Sequence, residues 1–141
     1  MDSAGASHEV LGPAHERFSD GSSVLELHMP KPHIVVVRGS GHASVDHAKL
    51  VIEWRQRALK QALPIVLFDD LAQMTTYEGG VRIMLTQWVA RHRARIQALH
   101  ILPHGKLARM GVSVANLALG GFITAHSARH TFEEALRRAL G

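Results

Sequence analysis

Residues 65–85 constrain the fold most tightly. Ile65-Val-Leu-Phe68 is a continuous apolar run that follows Pro64 and ends in two acids, Asp69-Asp70. A short run of this kind reads as a strand buried on both faces. Gly79-Gly80-Val-Arg-Ile-Met-Leu85 then opens a segment with apolar residues at helical spacing, Val81, Met84, Leu85, Trp88 and His92 sharing one stripe. A strand ending in acid, a loop over 70–78 and a helix over 80–95 form half of a strand–helix–strand crossover.

The rest of the chain repeats that alternation. Residues 24–29 and 33–38 read as two strands joined through Pro30-Lys31-Pro32, which predicts an antiparallel hairpin. Gly39-Ser40-Gly41 is expected to break the second of them. Ser44 or Asp46 then caps a helix running to about residue 61, with Ala48, Val51, Ile52, Arg55, Ala58, Leu59 and Ala62 on one face. Trp54 and Leu50 flank that face and read as core. Further strands are predicted over 98–102 and 122–125 and a helix over 106–119, closed by Gly120-Gly121. A last helix is expected to start at a capping box, Thr131-Phe-Glu-Glu134. The fold class is α/β: one domain over 22–141, with a mixed, mostly parallel five-stranded sheet, its first strand antiparallel, covered by about four helices.

Residues 1–21 carry almost no apolar periodicity and read as a flexible, acidic, dispensable tail. Charge is uneven. Residues 1–30 hold five acids against Arg17 alone, whereas the remainder holds fifteen basic and seven acidic residues. There is no cysteine, which excludes disulfides and thiolate chemistry. The N-terminus lacks the basic-then-apolar pattern of a secretory signal, so a cytoplasmic protein is expected. The stretch from Met110 to Ala128 has no Asp, Glu, Lys or Arg, but Ser113, Asn116, Gly120-Gly121 and Thr124 interrupt it, so no membrane span is expected.

The order of elements over 22–140 resembles the STAS domain of anti-sigma-factor antagonists. In that family a strand ends in Asp, and an Asp-Ser-Ser-Gly-like turn opens the next helix. A partner kinase phosphorylates the second serine. Asp69 or Asp70 fits the strand-end acid, and Gly80 with Val81, Ile83, Met84 and Leu85 fits the helix opening. Ser113-Val-Ala-Asn-Leu-Ala-Leu-Gly120, Phe122-Ile-Thr-Ala-His-Ser127 and Thr131-Phe-Glu-Glu-Ala-Leu136 resemble the family's later helix, last strand and last helix. The chain departs from the pattern at the phosphoacceptor. Counting from Asp69 puts Gly79 there and counting from Asp70 puts Gly80 there, and glycine has no hydroxyl.

The resemblance implies a bacterial, non-catalytic regulatory module, its partner a protein of the anti-sigma kinase type, and no cofactor. The candidate contact residues are Asp69, Asp70, Thr75, Thr76, Tyr77, Glu78, Gly79 and Gly80, with Glu78 placing a negative charge at the helix N-terminus. The alternative is a STAS-like domain that binds a small molecule or lipid under its helices. Other chemistries are poorly supported. Eleven histidines invite a metal site, but His42 and His47 are not at helical zinc spacing, and His104 and His126 meet Asp69 and Asp70 only through fold geometry. The basic cluster Arg91, Arg93 and Arg95 has no interleaved aromatics and argues against nucleic acid. Gly39-Ser40-Gly41 lacks the Gly-Lys-Ser/Thr ending of a phosphate loop, and no nucleophile–base pair is visible.

Overall fold

β-branched residues at the centre of the chain build the sheet, and prolines and glycines set where it turns. The computed structural model describes residues 6–141. Seven strands occur in sheet order identical to chain order: β1 (Ala6–Gly12), β2 (His15–Asp20), β3 (Ser23–Lys31), β4 (Ile34–Ala43), β5 (Ile65–Tyr77), β6 (Ile96–Pro103) and β7 (Ile123–Ala125). β1 to β4 pair antiparallel, and β4 to β7 pair parallel. The helices are α1 (Val45–Ala58), α2 (Gly79–His92), α3 (Lys106–Ala118) and α4 (Arg129–Leu140).

Each parallel step needs a crossover, and right-handed crossovers that advance in one direction put their helices on one face. α1, α2 and α3 accordingly share a core with Val35, Val37, Leu67, Leu99 and Ile101. The alternate strand residues Ile34, Val36, Val66, Phe68 and Leu102 point to the other face, where α4 covers them with Phe132 and Leu136. Trp54 is fully buried, as expected of a core residue. Among the described residues no helix is long and apolar enough to cross a membrane.

The sheet has seven strands and not five, and the two extra strands lie in the segment expected to be a tail. Residues 6–20 form a hairpin that pairs along β3, while residues 1–5 lie outside the described residues. Phe18 packs against the core, and the remaining contacts that hold this hairpin are mostly polar. His8 bonds Glu16 at 2.6 Å and stacks on Phe18, and His15 bonds Glu26 at 2.7 Å and stacks on His28. Such cross-strand pairs leave no apolar alternation to read.

Two strands are also longer than expected. β4 continues through Gly39-Ser40-Gly41, and β5 continues through the supposed loop to Tyr77, the two pairing in parallel as far as Ala43 and Tyr77. Register shifts between Arg38 and Ser40 and between Gly41 and His42 absorb the glycines. Gly41 has φ +75°, and a Cβ there would run into the carbonyl oxygen of Ser22, so the β2–β3 turn seats directly on this glycine. Helix starts differ once. Ser44 caps α1 with His47 as reciprocal partner. α4, by contrast, starts at Arg129 without a side-chain cap, and the expected Thr131 box does not form. Thr131 instead bonds the Ala128 carbonyl, and Glu134 pairs with Arg138.

The hairpin covers what would otherwise be the open edge of β3. Deleting residues 1–21 is therefore expected to lower the unfolding temperature by more than about 5 °C and to promote aggregation, as followed by circular dichroism and light scattering. A truncated chain that melts with the full-length protein would show that the hairpin only rests on the sheet.

Candidate functional site

Successive strand residues face opposite sides of a sheet, so the adjacent acids at the end of the β5 apolar run separate. Asp69 points to the α1–α3 face and Asp70 to the α4 face, and both are almost fully buried. Asp69 is met by Arg55 of α1, whose Nη2 donates to both carboxylate oxygens at 2.7 and 2.9 Å. Arg55 is 1% exposed and lies 5.7 Å from the Trp88 ring, and its Nε has no partner.

Asp70 organises the other face. Arg38 of β4 donates to it at 2.6 Å and Arg129 of α4 at 2.9 and 3.2 Å, and both arginines also bond Glu133. Burial alone would raise the Asp70 pKa. Hydrogen bonds from Arg129, the Ala72 amide and Arg38 outweigh it and hold the carboxyl below its ordinary value. Beside this network His100 of β6 stacks on Phe68 at 4.7 Å. The Thr131 hydroxyl donates to the Ala128 carbonyl, so it accepts from Nδ1 of His126 at 2.8 Å. Nε2 of His126 then accepts from Nδ1 of His100 at 2.9 Å. Burial lowers the pKa of both rings, and for His100 the charge of His126 lowers it further. His104 takes no part, and no cluster able to hold a metal ion occurs among the described residues.

Between the sheet and α1–α3 lies a cavity of about 140 Å³. Val51, Leu85, Val89, Leu99, Ile101 and Val112 line it, so nearly all of its wall is carbon. α3 turns Ala108 and Ala115 toward this space, where larger residues would fill it. The Tyr77 hydroxyl approaches Gly111 so closely that a Cβ there would push the tyrosine aside. Partly exposed Met74, Arg82, Leu85 and Thr86 mark the side from which the cavity can be reached. Apolar cavities of roughly 150 Å³ stay dry and admit benzene-sized molecules.

The structure divides the eight residues singled out by sequence. Asp69 and Asp70 are internal ion-pair partners with almost no surface. Tyr77 turns half-buried onto α3. Thr75, Thr76, Glu78, Gly79 and Gly80 form an exposed rim at the end of β5 and the start of α2. Thr76 bonds His42 of β4 at 2.7 Å. Glu78 makes no side-chain cap for α2; its carboxylate instead accepts the Val45 amide at the start of α1 at 2.6 Å. It thereby ties two helix N-termini together. Sequence reasoning missed Arg38, Arg129, Glu133 and His100, which converge from three separate elements, β4, β6 and α4. Arg55 carried a signal, a cation inside an apolar stripe. Two members of the basic cluster bond distant backbone carbonyls: Arg93 that of Leu119, and Arg95 those of Leu59, Gln61 and Leu63.

Arg55→Met is expected to destabilise the fold by about 3–5 kcal/mol in urea titration, because it strands a buried carboxylate. Adding Asp69→Leu should recover part of that loss. The two histidine pKa values are lowered by folding, so the unfolded chain takes up those protons first. Their contribution is complete above ~6.5 and is lost as pH falls through the lowered values. Between about pH 7 and pH 5 stability should therefore fall less steeply in His126→Gln than in the wild type, measured by denaturant titration at each pH.

No family model matches the sequence, and no curated protein matches it. Solved structures do. An uncharacterized protein of the DUF3478 family with a SpoIIAA-like fold, from Shewanella loihica PV-4, superposes with TM-score 0.58 at 12% identity. That match covers 91% of this chain and 99% of that one. The anti-sigma factor antagonist SpoIIAA in its unphosphorylated form superposes with TM-score 0.62 at 14% identity, over 83% of this chain and 98% of that one. The fold, with its four helices and parallel crossovers, is that of a STAS-like domain of the SpoIIAA type.

Proposed function

We propose that this STAS-like domain is a non-catalytic regulatory module that takes a small apolar molecule into the space between its sheet and α1–α3. The observation that carries this reading is the carbon-lined cavity. Binding pockets are concave and largely apolar, and most cores close such spaces. Here α3 presents Ala108 and Ala115 where larger side chains would pack. The Asp69–Arg55 pair also lines this space, and its charges are neutralised by each other. The ligand class is therefore an uncharged, mostly hydrocarbon molecule.

A second reading concerns a protein partner, and the likeness to an anti-sigma factor antagonist favours it. The contact would use the rim of Thr75, Thr76, Glu78, Gly79 and Gly80 together with the first turns of α2. In this reading contact is not controlled by phosphate at the family position, where glycine stands. A side chain at Gly80 would also press on Val45, whereas the space beside Gly79 is open. The surface would then hold one state, set by the amount of protein or by occupancy of the cavity. Incubation with an anti-sigma-type kinase and ATP should leave residues 75–80 unmodified by mass spectrometry. Stoichiometric phosphate on Thr75, Thr76 or Tyr77 that abolishes partner binding would show that the switch has moved by a few residues.

The cavity reading is tested with toluene, an apolar probe little larger than benzene, by isothermal titration calorimetry. The wild type should bind it saturably, and Ala115→Leu, which fills the cavity, should weaken binding at least about tenfold while keeping or raising the unfolding temperature. Absence of saturable uptake, or equal uptake by the filled variant, would overturn the ligand reading.

A further inference from the structure

The outer side of α3 is as unusual as its inner side. Leu107, Met110, Val114 and Leu117 are spaced by three, four and three residues and form one stripe along the helix. All four are exposed, Leu117 at 84% and Met110 at 54%. Ile83, on the second turn of the neighbouring α2, is exposed at 50%. Isolated exposed apolar residues are ordinary, but a continuous helical stripe of large ones marks a surface that another body covers.

Charge identifies that body. From Gly79 to Phe132 the chain has no Asp or Glu, although it has Arg82, Arg91, Lys106 and Arg109 on or beside these helices. Among the described residues none of these four cations pairs with an acid. Lys106 and Arg109 are exposed and lie along one flank of the apolar stripe, as helical spacing requires. A second copy packed through the same face would set cations against cations, with no acid between Gly79 and Phe132 to meet them. An anionic lipid surface meets both demands: acyl chains accept the stripe, and headgroups accept the flanking cations.

We infer that α3, with the start of α2, docks on an anionic lipid bilayer as an in-plane amphipathic helix. Lys106 and Arg109 reach the headgroups by extending their apolar stems along the boundary. The preference for a bilayer over an acidic protein rests on the cavity reading above, because the opposite side of α3 walls a space suited to an apolar membrane solute. Docking would bring that space next to the phase in which such molecules are dissolved.

The experiment is co-sedimentation of the full-length protein with vesicles of phosphatidylcholine alone and of phosphatidylcholine mixed with phosphatidylglycerol. The protein should pellet with the mixed vesicles and not with the neutral ones, and added salt should weaken the binding. Lys106→Glu with Arg109→Glu should raise the apparent Kd by about thirtyfold or more. Met110→Ser with Leu117→Ser should raise it by about tenfold or more. Both double variants should keep the wild-type unfolding temperature and the uptake of toluene. Equal binding to both vesicle types, no pelleting, or unchanged binding by the stripe variant would overturn the inference. So would a wild-type dimer that the stripe variant converts to monomer in light scattering, or an acidic helical peptide that displaces the protein from vesicles by occupying the stripe. Vesicle binding without probe uptake would leave docking standing and overturn the cavity reading, and probe uptake without vesicle binding would do the reverse.

Discussion

The ion pair between Asp69 and Arg55 is the constraint around which the domain is arranged. It lies at the junction of β5, α1 and the Trp88 face of α2, almost fully buried. Two charges taken from water at that depth are costly unless each has the other, so α1 must dock in the one position that brings Arg55 to Asp69. The neighbouring acid repeats the device on the opposite face, where Asp70 gathers Arg38, Arg129 and Glu133 and so fixes α4. A one-residue slip of β5 would exchange the two acids between faces and leave both arginine sites unmatched. Register, helix placement and burial are thus coupled through two adjacent residues.

The carboxyl edge of the sheet is unusually extended because β4 and β5 keep pairing beyond these acids. The added length lifts the start of α2 and seats Tyr77 against Gly111 of α3. Glu78 then holds the start of α1 through the Val45 amide. The rim that would face a partner is therefore built on strand and helix ends with mutual bonds. It borders the cavity through Met74, Tyr77 and Arg82, so occupancy of the cavity and the shape of the rim share the same residues. The proposed surface contact and the proposed internal ligand would in this sense be two uses of one region.

α3 carries opposite demands on its two sides. Small residues inward leave space, and large apolar residues outward meet solvent. A helix chosen for stability alone would reverse that distribution, since burial of large side chains contributes most to a core. Gly111 within the helix adds a further cost relative to alanine. The arrangement gives up stability on both sides, which fits a helix selected for contact and not for packing.

The sequence by itself determined the crossovers and the core. Apolar runs at 34–37, 65–68 and 99–102 and helical stripes between them could bury their surfaces only as a parallel sheet under helices. Those signals are local, because periodicity within one element decides which side of it is buried. The hairpin over 6–20, the continuation of β4 and β5, the partners of Asp69 and Asp70 and the His100–His126–Thr131 chain were decided by tertiary structure. Polar pairing across strands and ion pairs between residues as far apart as Arg38 and Glu133 leave no period in the chain that makes them. Arg55 marks the boundary between the two cases: its place in an apolar stripe was legible, but only the closed fold shows the carboxylate that lets it be buried.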